Sequence, residues 1–389
     1  MANKKIFFDG LPLVDGHFSG VGQYNLGILR GLDAILERDY LAGKQTPEIY
    51  VIIPRDRIPQ FINFGFKHIR LKKFPLNFVT MSRLWRYNLL PPIDLLMGRG
   101  FYVFTRFVDM RLAFSKSSIV VYDLSYESHK EYAEDRNAKF LSEGVRRSLK
   151  RASRVFTISK NSKREVNKFY DFPSEKIAIS TPAADQNYFY HRSDKEIVKV
   201  KQKYGIKKDY ILSLSNLEPR KNLDTLVDAY CALPKSYREN VSLLLVGVSG
   251  WKTDALFQKI IELVKQGYDI VRPNEYISDQ DKPAVLSGAK MLVYPSHYEG
   301  FGMPPLEALA CGTPVITSDN SSIPEVVGDA GVMLDCKDVS GFTKTMKQYL
   351  DDSEKTEKRA LVQGLERARH FNWEKSAQVY LDEILETMK

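Results

Sequence analysis

The feature that most constrains this chain is an alternation that runs through it twice: a short, unbroken apolar run, a loop, then a segment with apolar residues at helical spacing. KKIFFDG (4–10) opens the first series, and SGVGQYNLGILRGLDAIL follows with Leu26, Leu29, Leu32 and Ile35 on one helical face. EIYVIIP (48–54), SSIVVYDLS (117–125), RVFTISKNSKREVNKFY (154–170, a strand then a helix capped near Ser159) and KIAISTPAAD (176–185) complete it. The pattern restarts at DYILSLSNLEPRKNLDTLVDAYCAL and continues through VSLLLVG, DIVRPNEYIS, AKMLVYPS, TPVITSD and AGVMLD. Strands apolar along their whole length, separated by helices, imply parallel sheets covered on both faces, with right-handed crossovers. A chain of 389 residues is too long for one such core. We therefore expect an α/β protein of two doubly wound domains, joined by the polar, charged stretch 186–207. The domains would be 1–187 and 188–371, with an amphipathic C-terminal helix, 372–389, packing back on the first. Open parallel sheets bind ligands at the carboxyl ends of their strands, so two such domains facing across a cleft would place the chemistry there.

Composition narrows the setting. Cys231, Cys311 and Cys336 lack metal-type spacing and read as reduced thiols of a cytosolic protein. The first apolar run stops at Asp9, too short for a signal peptide, and no window of 18 uncharged apolar residues suggests a membrane span. A net charge of +9 and a pI near 9.1 favour anionic partners: nucleic acid, an anionic membrane face or phosphorylated substrates.

The most informative segment is YPSHYEGFGMPPLEALACGTPV (294–315): a strand, a loop, then a helix beginning near Pro304 or Pro305. Gly300, Phe301 and Gly302 let backbone amides approach a ligand, and those amides with the helix N-terminus suit hydroxyls and a diphosphate. Glu299 precedes the helix and Glu307 lies one turn into it, so two carboxylates at different depths can hold different hydroxyls. The bland reading of either residue alone is a strand-to-helix corner with a helix-dipole glutamate. Arg220 and Lys221 sit where a helix begins, a placement that opposes the helix dipole unless an anion binds between them.

The 294–315 segment resembles the signature of family 4 glycosyltransferases, retaining enzymes of GT-B fold whose two glutamates are separated by seven residues. SNLEPRKNLDTLVDAY is similar to their donor-phosphate segment. NEYISDQDKPAVLSGAKMLVYPS, SIPEVVGDAGVMLD and FNWEKSAQVYLDEIL match in order and spacing, strongly from 208 to 385 and weakly from 40 to 115. The resemblance implies an N-terminal acceptor-binding and a C-terminal donor-binding Rossmann-like domain. It implies that Glu299 contacts the transferred sugar, that the amides of Phe301, Gly302 and Met303 hold its hydroxyls, and that Glu307 binds the donor ribose. Lys221 would contact the diphosphate, with Arg220 as a second cation, and Ser215, Asn216, Pro304 and Leu306 complete the donor set. Fixed cations there would stabilise the departing phosphate. No metal and no cofactor are expected beyond the nucleotide-sugar co-substrate.

Two departures from the family pattern stand out. Many members have Gly-Arg where this chain has Ser215-Asn216, and Arg220 would supply the missing charge. Relatives often carry histidine where this chain has Tyr122, which is a poor base at neutral pH. Either Tyr122 shapes the pocket or Asp123 takes the polar role; the alternative is an Asp123 that caps the turn after its strand. SGVGQY (19–24) would bring Gly20 and Gly22 to an anion or acceptor, although Asn25 replaces the third glycine of a dinucleotide motif. Asp279-Gln280-Asp281 fits a helix N-cap better than a metal site. The histidines, His17, His68, His129, His191, His297 and His370, contain no i, i+4 pair; His297 would line the cleft or end its strand.

Arg83, Arg86 and Arg99 lie among aromatics, and Arg146, Arg147, Lys150, Arg151 and Arg154 cluster on one expected helix. Such segments can lie on an anionic membrane, or be solvated helix faces. No nucleic-acid module is recognisable. The expected function is transfer of a hexose to a glycan or lipid-linked acceptor in cell-surface polysaccharide biosynthesis. The LEPRKN variant resembles mannosyltransferase-like members and so favours mannose from GDP-mannose. The rivals are a GT-B epimerase or phosphorylase, and a catalytically silent scaffold on a membrane or glycan.

Overall fold

A computed structural model describes residues 4–15, 19–132, 134–273 and 275–389; His17 and Asn274, named above, fall outside it. The chain divides into two units, Met1–Pro182 with Asn372–Lys389, and Ala183–Phe371.

The first unit holds a seven-stranded parallel sheet: β1 (Lys5–Asp9), β2 (Glu48–Pro54), β3 (Arg70–Phe74), β4 (Phe101–Phe104), β5 (Lys116–Val121), β6 (Arg154–Thr157) and β7 (Ile177–Ile179), ordered β3-β2-β1-β4-β5-β6-β7. The second holds six: β8 (Asp209–Leu214), β9 (Val241–Val246), β10 (Ile270–Val271), β11 (Met291–Tyr294), β12 (Val315–Ser318) and β13 (Val332–Leu334), ordered β10-β9-β8-β11-β12-β13. Every described pairing is parallel. Both sheets are doubly wound, because the chain leaves the middle strand to one side and then returns to build the other. The apolar runs explain the pairing: β9 is buried along its full length, so helices cover both faces.

Two strands have no counterpart in the sequence reading. RLKKF (β3) is an edge strand whose lysines keep its free side from pairing. FYVF (β4) is only four residues, inside the stretch read as a basic, aromatic surface, yet all four are buried beside β1.

Two further expectations need correction, and a third, the docking of the C-terminal helix on the first unit, is met. The stretch 186–207 is not an open linker: its centre is the helix Asp194–Lys203, started by a Ser193–Glu196 capping box, and it belongs to the second unit with Val200 buried. The five cations 146–154 do not share one helix. The helix Asp135–Leu149 ends before Arg151, which pairs with Asp109, while Arg154 opens β6 and meets Glu383 at 2.8 Å. The C-terminal helix Trp373–Thr387 packs within the first unit: Tyr380 stacks on Phe156 with ring centroids 3.7 Å apart, and Ser376 Oγ donates to the Thr181 carbonyl at 2.6 Å. No helix among the described residues is long and apolar enough to cross a membrane.

Candidate active site

β8 and β11 are neighbours at the point where the second sheet reverses its strand order, and the loops at their carboxyl ends lie side by side. The His297 N–H donates to the Arg220 carbonyl at 2.9 Å. Asn222 adopts the left-handed region (φ 53°), which asparagine tolerates. Its amide nitrogen donates to the carbonyls of Pro295 (3.0 Å) and Cys336 (2.6 Å), tying the ends of β8, β11 and β13 together. The β9 loop is held as closely: a Cβ on Gly247 (φ 153°) would stand 1.7 Å from the Ser215 carbonyl oxygen.

These loops bring four charged side chains into one buried cluster. Lys221 Nζ donates to Glu299 Oε1 at 2.7 Å and to the Tyr294 hydroxyl at 2.8 Å. Arg220 Nη1 donates to Glu299 Oε2 at 3.0 Å and to the Tyr298 carbonyl at 2.7 Å, and its Nη2 reaches Glu218 Oε1 at 2.7 Å. Two cations balance two carboxylates. Burial alone would raise the Glu299 carboxyl, but Arg220 and Lys221 outweigh it and hold it at about 2. Glu299 is therefore ionised and saturated by cations, so an incoming anion would compete with it for both.

The turn after Glu299 presents backbone donors. Gly302 (φ 116°) precedes the helix Met303–Ala310, and a Cβ there would stand 2.8 Å from Ile323 Cδ1. Pro304 and Pro305 have no N–H, which leaves Met303 as the only donor among the first three helical residues. The amides of Phe301, Gly302 and Met303 donate to no group among the described residues. Pro304 is half-buried, Leu306 is buried in the core, and the Phe301 ring packs edge-on against Phe371 at 5.5 Å.

The loop after β12 fixes this turn from behind; of its residues only Ser322 lies in a segment matched in the sequence, and none was assigned a role there. Ser321 Oγ accepts the Glu299 N–H at 2.9 Å, Ser322 Oγ lies 2.8 Å from the carbonyls of both Glu299 and Phe301, and Asn320 Nδ2 donates to the Ser296 carbonyl at 3.1 Å. Glu218 and Tyr294 were also missed. Glu218 adjoins the basic pair in sequence, and that adjacency is the one clue it offers.

Glu307 lies in the second turn of the same helix, buried, facing Lys282, Asp279, Tyr188 and Cys311. Burial lifts its carboxyl to about 7, with Lys282 opposing and Asp279 adding to the rise. A carboxyl raised from 4.5 gives its full stability below pH 4.5 and loses it as pH climbs through 7, a loss of about 3 kcal/mol. Thermal melts from pH 4.5 to 8 should therefore show the wild type falling relative to Glu307→Gln; parallel profiles would contradict this.

The other expected site residues fall as follows. Ser215 Oγ is buried without a partner among the described residues, and Asn216 is exposed. Gly20, Gly22, Tyr122 and Asp123 belong to the first unit. Gly20 and Gly22 form the first turn of the helix Gly20–Leu41, and Ser19 Oγ accepts the Gly22 N–H at 3.4 Å. The Tyr122 hydroxyl is buried and donates to the Thr105 carbonyl at 2.9 Å. Asp123 Oδ1 caps the following turn, accepting the Ser125 N–H (3.0 Å) and hydroxyl (2.8 Å), as in the capping alternative. Asp281 accepts bonds from Lys203, Tyr204 and Ser278, and Asp279 pairs with Lys282. Nδ1 of His297 lies 3.4 Å from Cys336 Sγ.

Residues 194–361, which contain the ion cluster and the turn, match the family model for glycosyl transferases group 1. This segment belongs to the glycosyl transferases group 1 family. Among its relatives, the O-antigen chain mannosyltransferase B of Escherichia coli is 36% identical over 254 residues, 65% of this chain and 66% of that protein. The serotype-specific mannosyltransferase WbdA of the same species is 29% identical over 273 residues, 69% of this chain and only 33% of its own length. Anabaena HepE, solved with UDP and glucose, superposes with a TM-score of 0.68 over 99% of both chains at 16% identity. The fold is GT-B.

Proposed function

We propose that this group 1 glycosyltransferase moves mannose from GDP-mannose to a growing or lipid-linked glycan in cell-surface polysaccharide biosynthesis, with retention of anomeric configuration. The observation that carries the reading is the convergence of Lys221, Arg220 and Glu299 beside three unpartnered amides at the sheet's reversal point. Two cations suit a diphosphate, and a carboxylate with adjacent amides suits sugar hydroxyls. As the diphosphate takes up Lys221 and Arg220, Glu299 is released toward the sugar. The Glu307 carboxyl, titrating near neutral pH, would accept both ribose hydroxyls once ionised. The acceptor hydroxyl would attack on the face that the nucleotide leaves, its proton passing to a donor phosphate oxygen, without metal or cofactor. Mannose is favoured because the relatives above are named mannosyltransferases; a nucleotide sugar is favoured because HepE binds UDP and glucose.

A thermal-shift panel of nucleotide sugars tests this. A donor at 100 times its Kd should raise stability by about 2.7 kcal/mol, with GDP-mannose the strongest. No response to any donor would favour the scaffold reading, and release of sugar phosphate with inorganic phosphate would favour a phosphorylase.

The acceptor reading extends to a peripheral membrane contact at the cytoplasmic face. In the first unit, Leu95, Leu96 and Phe114 are exposed (60%, 51% and 65%) among Arg99, Arg111 and Lys116. Arg99 lies over the Phe114 ring at 4.8 Å, while Asp94, the acid beside them, is buried and accepts the amides of 113–115. Apolar side chains ringed by cations fit an anionic bilayer. The protein should co-float with phosphatidylglycerol vesicles but not with phosphatidylcholine, and Leu95→Ser with Phe114→Ser should abolish this; equal flotation of the variant would remove the contact.

A further inference from the structure

The carboxyl ends of the first unit's strands carry a second set of buried polar groups, also at a reversal of strand order: β1 and β4 are neighbours there. Asp9 closes β1, Thr105 and Arg106 follow β4, and Tyr122 follows β5. Thr105 Oγ1 donates to the Asp9 carbonyl at 3.0 Å, and the Tyr122 hydroxyl donates to the Thr105 carbonyl at 2.9 Å. Asn25 Nδ2, which donates to the Val21 carbonyl at 2.9 Å, lies 3.4 Å from the Tyr122 hydroxyl. The Asp9 carboxylate is oriented by the Leu11 N–H, which donates to its Oδ1 at 3.0 Å. Its other oxygen, Oδ2, is buried with no hydrogen-bond partner among the described residues, in a side chain only 4% exposed.

A buried carboxylate oxygen with nothing to accept is costly, and such orphans in native proteins call for a missing partner. Burial works to raise the Asp9 carboxyl and the Arg106 guanidinium opposes it. Arg106 itself is held over the Trp85 ring at 3.9 Å. The neighbouring groups are committed to one another, so the group that can still be recognised here is one that donates a hydrogen bond to Oδ2. An anion would meet the carboxylate and a cation would meet Arg106, whereas a neutral hydroxyl suits both. The position is also where a doubly wound sheet receives its ligand.

We propose that Asp9 Oδ2 accepts a hydrogen bond from a hydroxyl of the sugar acceptor, which makes Asp9 an acceptor-binding residue with Arg106 as its charge partner. The inference rests on the glycosyl-transfer reading above and adds the residue that holds the acceptor.

The test uses GDP-mannose with a panel of alkyl mannosides, glucosides and galactosides, followed by monodeoxy analogues of whichever is used. One analogue should lose about 10- to 100-fold in kcat/KM, the span of a hydrogen bond to a charged group. Asp9→Asn, whose amide oxygen can still accept the Leu11 N–H, should lose a similar factor on the parent acceptor, nothing further on that analogue, and leave the donor KM unchanged. An Asp9→Asn enzyme within about 2-fold of wild type on the parent acceptor would overturn the proposal. So would losses that simply multiply for every analogue, since these mark a structural role. If Asp9→Asn does not fold, Arg106→Met, which keeps an apolar contact on Trp85 and removes the cation, takes its place in the same comparison. A wild type that binds GDP-mannose yet transfers to no member of the panel would overturn this proposal alone; one that binds no nucleotide sugar would overturn the glycosyl-transfer reading as well.

Discussion

Glu299→Ala should lower the rate of transfer by about 10³-fold, because it removes the one carboxylate positioned beside the free amides of 301–303 and beside both cations. The same substitution leaves Lys221 and Arg220 buried without their common anion, which costs about 3 kcal/mol. A bound nucleoside diphosphate replaces that anion. Glu299→Ala should therefore be stabilised by GDP at least as strongly as the wild type, while losing transfer. Calorimetric melting with and without GDP, alongside a transfer assay, reads both effects. Transfer within tenfold of wild type would remove Glu299 from the chemistry. The carboxyl, held at about 2, contributes stability above its unfolded value of 4.5 and loses it as pH falls toward 2. Glu299→Gln should flatten that acid limb.

Lys221→Met should weaken GDP binding by about 100-fold, the loss expected when a buried charge-assisted contact to a phosphate disappears. It also leaves Glu299 with Arg220 as its single cation, so the melting temperature should fall. Pairing it with Glu299→Gln separates the two contributions. The double variant should be more stable than the sum of the single losses implies, because each single change strands the other's charge. Strict additivity in stability would mean that the 2.7 Å contact contributes nothing in solution, and unchanged GDP affinity in Lys221→Met would place the diphosphate elsewhere.

Sequence neighbours and tertiary partners differ most around the two basic residues, Arg220 and Lys221. Their position at a helix start opposes the dipole, and that conflict pointed to an anion. In the folded chain the anion is Glu299, a residue 78 positions away, together with Glu218. For Tyr122 and Asp123, the histidine of related sequences suggested a pocket-shaping or polar role, with turn capping as the alternative for Asp123. Their partners, the Thr105 carbonyl and Ser125, show one packed into the first unit and the other capping a turn.

What this sequence determined alone was whatever depends on neighbours along the chain. Apolar runs of four to seven residues between helical periods dictated parallel sheets. The Glu299–Glu307 spacing placed one carboxylate before a helix and one inside it, and the glycine and proline residues set where that helix starts. Tertiary structure decided what depends on contacts between distant segments. β3 and β4 are strands because neighbours pair with them, although one is rich in lysine and the other only four residues long. The charge state of Glu299 comes from cations brought in by another loop, and that of Glu307 from being buried. The serines that hold the Glu299 turn, and the unpartnered oxygen of Asp9, leave no mark on local sequence, because hydrogen-bond partners and desolvation are properties of the folded chain.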